Sequence, residues 1–564
     1  MDSDKSHLAR AALPFAAATV FTLVLFALTA WFDTIGGLAG LWQHKLLELP
    51  LVLYLYWLFA ELARGHRWRW ALAGIPVLTG YILFDGYFLL FRRVFRLTEI
   101  DELPELLDIL PLPASAGLVV AAIAIFVTLA FSLRHILWGR LALASIPLIA
   151  LIAGITLMPG RFLQALTSIA HGTVEWSDAE HVRRNGRLTS ILYQEARRRR
   201  SIEQISSHYN ADEYPRRFRH ALDTLHASGN QRNVHLVVYE GFLDPLRIER
   251  LNLDRDPMHP KLRKLLREGQ GELSVSPVFG GYTAQAEFEV LCGVPAIQRL
   301  GTIEFNSFNG ARVHCMPDIF RELGYRTIAS NGYKPNFFNA AVAYRGTGFE
   351  EIYFPHEYTP NSGSYFSTGD VSKEKYMFDR TLFEQNLAFV GRHIREGDRR
   401  PLFNYVLTIY GHFPFRLDTE KRPWVTHALN TKPVDKELMV IVNQVYYRSE
   451  ALAWYLQEVH RLDPNAVVLI VADHLPPLKN RRAAYSRLRY LGDRKDAANL
   501  TLLAVYDRGS PVEIGVLPQH GLPGLLFNLL SGGRWCKGEA CKRSPQTLEA
   551  DYLQLMAHAV DAGS

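Results

Sequence analysis

The feature that most limits how this chain folds is a change of composition near Pro159. Before it the residues are mostly Leu, Ala, Ile, Val and Phe; after it the mix is that of an ordinary water-soluble domain. Five apolar stretches, at about 11–32, 46–63, 70–91, 115–133 and 140–158, reach or approach the ~20 residues that a helix needs to cross a bilayer. The first is too long for a cleaved signal segment, and no small-residue cleavage site follows it. Beyond Pro159 enough chain remains to bury a core of its own. With 21% charged and 12% aromatic residues a disordered chain is excluded. A formal charge of +6 over 564 residues is too mild to indicate a nucleic-acid partner.

Orientation follows from the short loops, where Lys and Arg mark the cytoplasmic side. Arg64, Arg67 and Arg69 in the second loop, with Arg134 and Arg140 in the fourth, place both loops inside. Five spans then leave everything after Pro159 outside. The third loop opposes this with Arg92, Arg93 and Arg96, which either grip a lipid headgroup or anchor the interface. Glu99, Asp101, Glu102, Glu105 and Asp108 make that loop net acidic. Glu61 and Asp85 lie at or near span ends, where a carboxylate either serves function or reaches water at the interface.

The expected organisation is a five-helix transmembrane domain over 1–159, a helical juxtamembrane linker over 160–230 and an α/β extracytoplasmic domain over 231–564. The linker carries Arg197–Arg200, a run that suits a solvated face touching anionic headgroups, with substrate guidance as the alternative. All four cysteines, Cys292, Cys315, Cys536 and Cys541, lie in the soluble part. An even number in an oxidising compartment points to disulfides. Cys536 and Cys541 are close enough to clip one loop, which leaves Cys292 with Cys315; zinc ligation by the four is the alternative.

In the soluble part, β-rich runs at Val234–Tyr239, Tyr325–Ser330, Phe403–Ile409, Ala466–Ala472 and Leu500–Tyr506 alternate with helical patterns such as Pro317–Leu323 and Val442–Arg461. Continuous apolar strands alternating with helices predict a largely parallel, doubly covered sheet. Ligands bind such sheets beyond the carboxyl ends of the strands. There VHLVVYEGF places Glu240, and VVLIVADHLPPL places Asp473 and His474. Carboxylate with imidazole suits Zn²⁺ or Mn²⁺, although an Asp-His pair also makes ordinary salt bridges and caps. In FGGYTAQAEFEVLCG, Gly280 and Gly281 allow an unusual turn before Thr283, which opens a helix. A hydroxyl there either caps the helix or meets a phosphate at its positive end.

These blocks, with TIYGHFPF and the linker's Asn185-Gly186, resemble the lipoteichoic acid synthase and periplasmic-glucan phosphoglycerol transferase group of the alkaline phosphatase and sulfatase superfamily. The resemblance implies that the soluble domain has the alkaline phosphatase/sulfatase fold. It implies that Glu240, Thr283, Asp473 and His474 hold one divalent metal, Mn²⁺ foremost with Mg²⁺ or Zn²⁺ as alternatives. It also makes Thr283 the nucleophile and sets His412 beside the substrate phosphate. In SNGYKPNFFNAAVAYR, Asn331 and Ala340 stand where lipoteichoic acid synthases carry a histidine and an arginine that grip glycerol phosphate. Asn331, Lys334, Asn336, Asn339 and Arg345 are the residues left to bind the headgroup.

The function this implies is transfer of phosphoglycerol from phosphatidylglycerol to an extracytoplasmic glycan through a phosphothreonine intermediate. The enzyme would be a multi-pass protein of the bacterial inner membrane with its catalytic domain in the periplasm. Phosphoethanolamine transfer from phosphatidylethanolamine is the nearest alternative. More distant ones are a hydrolase and a non-catalytic, lipid-binding regulator of envelope assembly. A sulfatase activity is disfavoured, because Thr283 cannot become the formylglycine that sulfatases use.

Overall fold

A computed structural model describes residues 2–40, 47–91, 93–102, 107, 110, 112–132, 138–170, 177–207, 216–266, 271–359, 363–395, 399–536 and 543–561. Arg92, Glu105, Asp108, Arg134 and Cys541 lie outside the described residues. The chain divides into two compact units, 1–204 with 299–302, and 205–298 with 303–564.

The first unit is helical. Three of its helices are long and apolar enough to cross a membrane, over Ala12–Thr34, Arg69–Leu90 and Trp138–Leu157. The expectation of five spans is therefore corrected to three among the described residues. The helix Glu48–Leu62 has 15 residues, which at ~1.5 Å per residue falls well short of a ~30 Å hydrocarbon layer. In the helix Leu112–Ser132 the apolar stretch among described residues is Ser115–Val127.

The 15-residue helix begins at Glu48. The Glu48 carboxylate is fully buried, and its Oε1 accepts from the Tyr81 hydroxyl at 2.6 Å and from the backbone N–H groups of Arg187 and Leu188 at 2.8 and 2.9 Å. Its Oε2 accepts from the Thr189 N–H at 3.2 Å. Glu48 thus satisfies the first turn of the helix Arg187–Ser207 from a different element, at the end where a negative charge is favourable. Asp85 does not reach water at an interface: it is buried, and both its oxygens accept from the buried Arg187 guanidinium, at 3.0 and 2.8 Å. Removing one partner of such a pair costs about 3–5 kcal/mol, because the other charge stays buried alone. Glu61 instead pairs with Arg64 at 3.0 Å.

The second unit is built on one nine-stranded sheet. Its strands are β1 (Val234–Tyr239), β2 (Glu272–Val275), β3 (Arg326–Asn331), β4 (Glu351–Tyr353), β5 (Leu402–Leu407), β6 (Val467–Ala472), β7 (Leu500–Asp507), β8 (Ser510–Pro511) and β9 (Val516–Pro518). The order is β4-β3-β5-β1-β6-β7-β2-β9, with β8 paired to β7. From β4 to β6 every pairing is parallel; β7 is antiparallel to both β6 and β2. β1, β5 and β6 are buried at every residue, as strands covered on both faces must be.

Alternation along β5 separates the two faces. Asn404 meets Asn386 and Tyr455 on the helices Asp379–Arg395 and Lys436–Leu462. Phe403 and Tyr405 point the other way, onto Phe320 and Tyr344 with ring centres 4.7 and 5.7 Å apart. The same opposite face carries the helix Thr283–Cys292, all of whose residues are buried. Its last residue, Cys292, forms a disulfide with Cys315 at the start of the helix Met316–Glu322. Among the described residues no cysteine is free.

Candidate active site

Register places the chemistry. β1 and β6 run side by side with Tyr239 opposite Ala472, so the residues that leave the two strand ends, Glu240 and Asp473-His474, emerge together. Ligand atoms of Glu240, Asp473 and His474 all lie within 4.8 Å of one another. His474 Nε2 is 3.7 Å from Glu240 Oε1 and 3.3 Å from Asp473 Oδ2. The Thr283 hydroxyl donates to Glu240 Oε2 at 2.9 Å. All four residues are buried.

This arrangement is costly unless something sits in it. Asp473 Oδ2 and His474 Nε2 are buried and lack a hydrogen-bond partner, and each such orphan costs roughly 1–3 kcal/mol. Asp473 Oδ1, in contrast, accepts from the N–H groups of Gly241 and His474 at 2.7 and 2.6 Å. His474 Nδ1 lies 3.0 Å from the Leu475 carbonyl. That contact fixes the ring proton on Nδ1 and turns the Nε2 lone pair toward the cluster, the tautomer a metal requires. Burial pushes the Glu240 carboxyl well up, the neighbouring Asp473 charge adds to this, and the Thr283 hydrogen bond opposes it. A divalent cation would satisfy both orphan atoms and offset the clustered negative charge. The donor set fits one.

Thr283 opens its helix after three residues with positive φ, Gly280, Gly281 and Tyr282. Tyr282 at φ +65° is in the left-handed region, at a cost of ~1–3 kcal/mol for a residue with a side chain. The turn brings the Thr283 hydroxyl onto Glu240 while the helix itself stays packed under the sheet.

Around this centre stands an aromatic wall. The His412 ring packs edge-on against Phe337 and Tyr376, with centres 5.9 and 5.3 Å apart. His412 Nδ1 lies 2.6 Å from the Phe413 carbonyl, which orients the imidazole. Phe337 stacks near Phe338, and Phe338 reaches Tyr282, so rings link the threonine turn to the histidine loop.

The proposed headgroup residues fare differently. Asn331 ends β3 and is buried, its Nδ2 donating to the Tyr344 hydroxyl at 3.1 Å and its Oδ1 accepting from the Tyr333 N–H at 2.9 Å. Lys334 is half-buried with its ammonium 5.4 Å from the Tyr333 ring centre. Asn339 donates to the carbonyls of Phe305 and Phe308, so its amide anchors a loop. Arg345 is exposed, and its Nε donates to Ala341 O of its own helix. Neither Asn339 nor Arg345 hydrogen-bonds to the Glu240–Thr283–Asp473–His474 cluster.

Sequence reasoning missed Glu287. It is buried one helical turn beyond Thr283, and its Oε2 accepts from the hydroxyls of Tyr344 and Tyr405. Burial pushes its carboxyl up to about 7, against the pull of the two hydroxyls. The signal was present, since residues four apart share a helix face.

A family model described as Sulfatase matches residues 232–514, half of the chain. Among curated proteins, one from Rhizobium meliloti (strain 1021), provisionally described as a cyclic beta-1,2-glucan modification protein, is 26% identical over 46% of this chain and 37% of its own length. A lipoteichoic acid synthase from Staphylococcus aureus (strain USA300) is 23% identical over 48% of this chain and 39% of its own length. The matches thus span well under half of these curated relatives. A solved phosphoglycerol transferase from Streptococcus pyogenes, in complex with sn-glycerol-1-phosphate, is 16% identical, with a TM-score of 0.45 over 63% of this chain and 92% of that one.

Proposed function

The chain belongs to the sulfatase family, and from that premise we propose that it is a membrane-bound phosphotransferase. It would move the phosphoglycerol headgroup of phosphatidylglycerol onto a hydroxyl of an extracytoplasmic glycan, with Thr283 as the covalent carrier. One observation carries this reading: the Thr283 hydroxyl donates to Glu240 inside a cluster that presents Asp473 Oδ2 and His474 Nε2 unpaired. Glu240, Asp473 and His474, with Thr283, would hold a divalent cation. When bound, such an ion supplies Lewis acidity that favours the Thr283 alkoxide and offsets charge on the phosphoryl oxygens.

The chain's own groups do the rest. Thr283 Oγ1 forms a bond to phosphorus as the bond from phosphorus to the diacylglycerol oxygen breaks. The hydroxyl proton passes to Glu240 Oε2, which already accepts it in a hydrogen bond. His412, its Nδ1 held by the Phe413 carbonyl, protonates the departing diacylglycerol oxygen. In the second half the acceptor hydroxyl gives its proton to His412 and bonds to phosphorus. The Thr283 oxygen leaves and recovers its proton from Glu240. Diacylglycerol stays in the bilayer, which suits an enzyme with apolar membrane-length helices.

A phosphoethanolamine donor is the second reading. The buried Asn331 and Ala340 put no cation at the two positions where lipoteichoic acid synthases grip glycerol phosphate, and the amide of Asn331 is already engaged. The test is turnover of labelled phosphatidylglycerol and phosphatidylethanolamine by the full-length protein and Thr283→Ala. The substitution should lower turnover by at least ~10³-fold and leave the melting temperature unchanged. Turnover within tenfold of wild type would remove Thr283 from the chemistry.

A further inference from the structure

Behind the Glu240 turn lies a buried arginine that the chemistry above does not use. Arg448 is on the helix Lys436–Leu462 and is 2% exposed. Its Nη2 donates to the Glu240 carbonyl at 2.6 Å, its Nη1 to the Gly241 carbonyl at 3.1 Å and its Nε to Asp379 Oδ2 at 2.7 Å. The guanidinium carbon lies 4.4 Å from the centre of the Tyr239 ring, on the last residue of β1. Space is made for it by Gly411, next to His412: a Cβ there would sit 2.3 Å from Arg448 Nη1 and 2.4 Å from the Glu240 carbonyl oxygen.

Every backbone polar group of the Glu240-Gly241 pair is therefore held. The Glu240 N–H donates to Thr408 Oγ1 at 2.9 Å, the Gly241 N–H to Asp473 Oδ1 at 2.7 Å, and both carbonyls accept from one guanidinium. A planar fork with fixed donors can bridge two carbonyls and a carboxylate together, which a lysine ammonium cannot. Asp379 matters for the sign of the effect. An uncompensated cation behind the turn would repel a metal ion, whereas the Arg448–Asp379 pair is neutral overall and supplies geometry without that repulsion.

We propose that Arg448, neutralised by Asp379, is a positioning residue that sets metal affinity by fixing the backbone from which Glu240 reaches the ion. This rests on the reading of Glu240, Asp473 and His474 as the metal site. The experiment is Mn²⁺ calorimetry on metal-stripped full-length protein in detergent, for wild type, Arg448→Lys, Asp379→Asn and Tyr239→Phe. Metal-free melting and activity against added Mn²⁺ are recorded on the same samples. Arg448→Lys should raise the Mn²⁺ Kd at least tenfold, with turnover restored toward wild type by excess Mn²⁺. Asp379→Asn keeps an acceptor but exposes the arginine charge, so it too should weaken binding; it serves alone if Arg448→Lys does not fold. Tyr239→Phe removes a hydroxyl that donates to the Arg448 carbonyl and neighbours the Asp379 and Arg448 side chains. It leaves both charges and the guanidinium's bonds to the Glu240-Gly241 carbonyls in place, and should keep the wild-type Kd. Variants that melt lower but bind Mn²⁺ as wild type would reduce Arg448 to a packing residue and overturn the proposal alone. A wild type that binds no Mn²⁺ would overturn the metal reading and the proposal together.

Discussion

Three buried acids on and beside the threonine helix should make stability depend on pH in a way the surface charge would not suggest. Burial is the main cause in each case, raising Glu287 to about 7, Glu289 to about 8 and Glu304 to about 7 from 4.5. A carboxyl with a raised folded-state pKa keeps its proton when folded and releases it on unfolding. Its contribution to stability is complete below the unfolded value and is lost as pH rises through the folded one. The metal-free protein should thus lose stability between about pH 5 and pH 8. Glu289→Gln should flatten that slope by up to one proton, ~1.4 kcal/mol per pH unit, whatever its effect on stability at a single pH. Urea unfolding followed by tryptophan fluorescence across this range measures it. An unchanged slope would show that Glu289 is ionised when folded.

At the same scale, legibility depended on whether a residue announces itself by position. Glu240, Asp473 and His474 end apolar runs and stand out. Glu287 and Arg448 do not, because each is a polar residue inside a helix whose partners arrive from distant segments. Arg448 left one trace: it falls in the buried stripe of its helix with Ile441, Val445, Leu452 and Tyr455, where a charge is out of place. Asn339 and Arg345 make loop and helix contacts that spacing alone does not reveal.

Among elements, the long buried strands were read within a residue or two, as Arg326–Asn331 and Val467–Ala472 illustrate. The short strands Glu272–Val275, Glu351–Tyr353 and Val516–Pro518 escaped notice, having three or four residues each and no fully buried run. With them went the antiparallel side of the sheet. The apolar N-terminal runs were found, but one of them forms a helix of only 15 residues, Glu48–Leu62, and its Glu48 caps the helix Arg187–Ser207, which run length does not show. The threonine helix is also tied at its far end by the Cys292–Cys315 bond, whose cysteines are 23 positions apart in sequence. Closing a loop of this size is worth about 3 kcal/mol on chain entropy. Cys292→Ser with Cys315→Ser should therefore lower the unfolding free energy by about that amount and keep the wild-type metal affinity. A loss below ~0.5 kcal/mol would mean that burial alone holds the helix.

For the molecule as a whole, apolar helices of membrane length and a sulfatase-family domain belong to one chain, an organisation that suits the proposed reaction, in which the donor is a lipid and the by-product stays in the bilayer. The measurement that bears most directly on this account is peptide mass spectrometry of the full-length protein after incubation with Mn²⁺ and phosphatidylglycerol vesicles, with no acceptor added. A glycerophosphoryl group on the peptide that carries Thr283, absent from Thr283→Ala, is the expected result. With phosphatidylethanolamine vesicles, a phosphoethanolamine group on the same peptide would keep the mechanism and change the donor. An unmodified Thr283 peptide, with or without release of free headgroup, would contradict the covalent transfer on which the account rests.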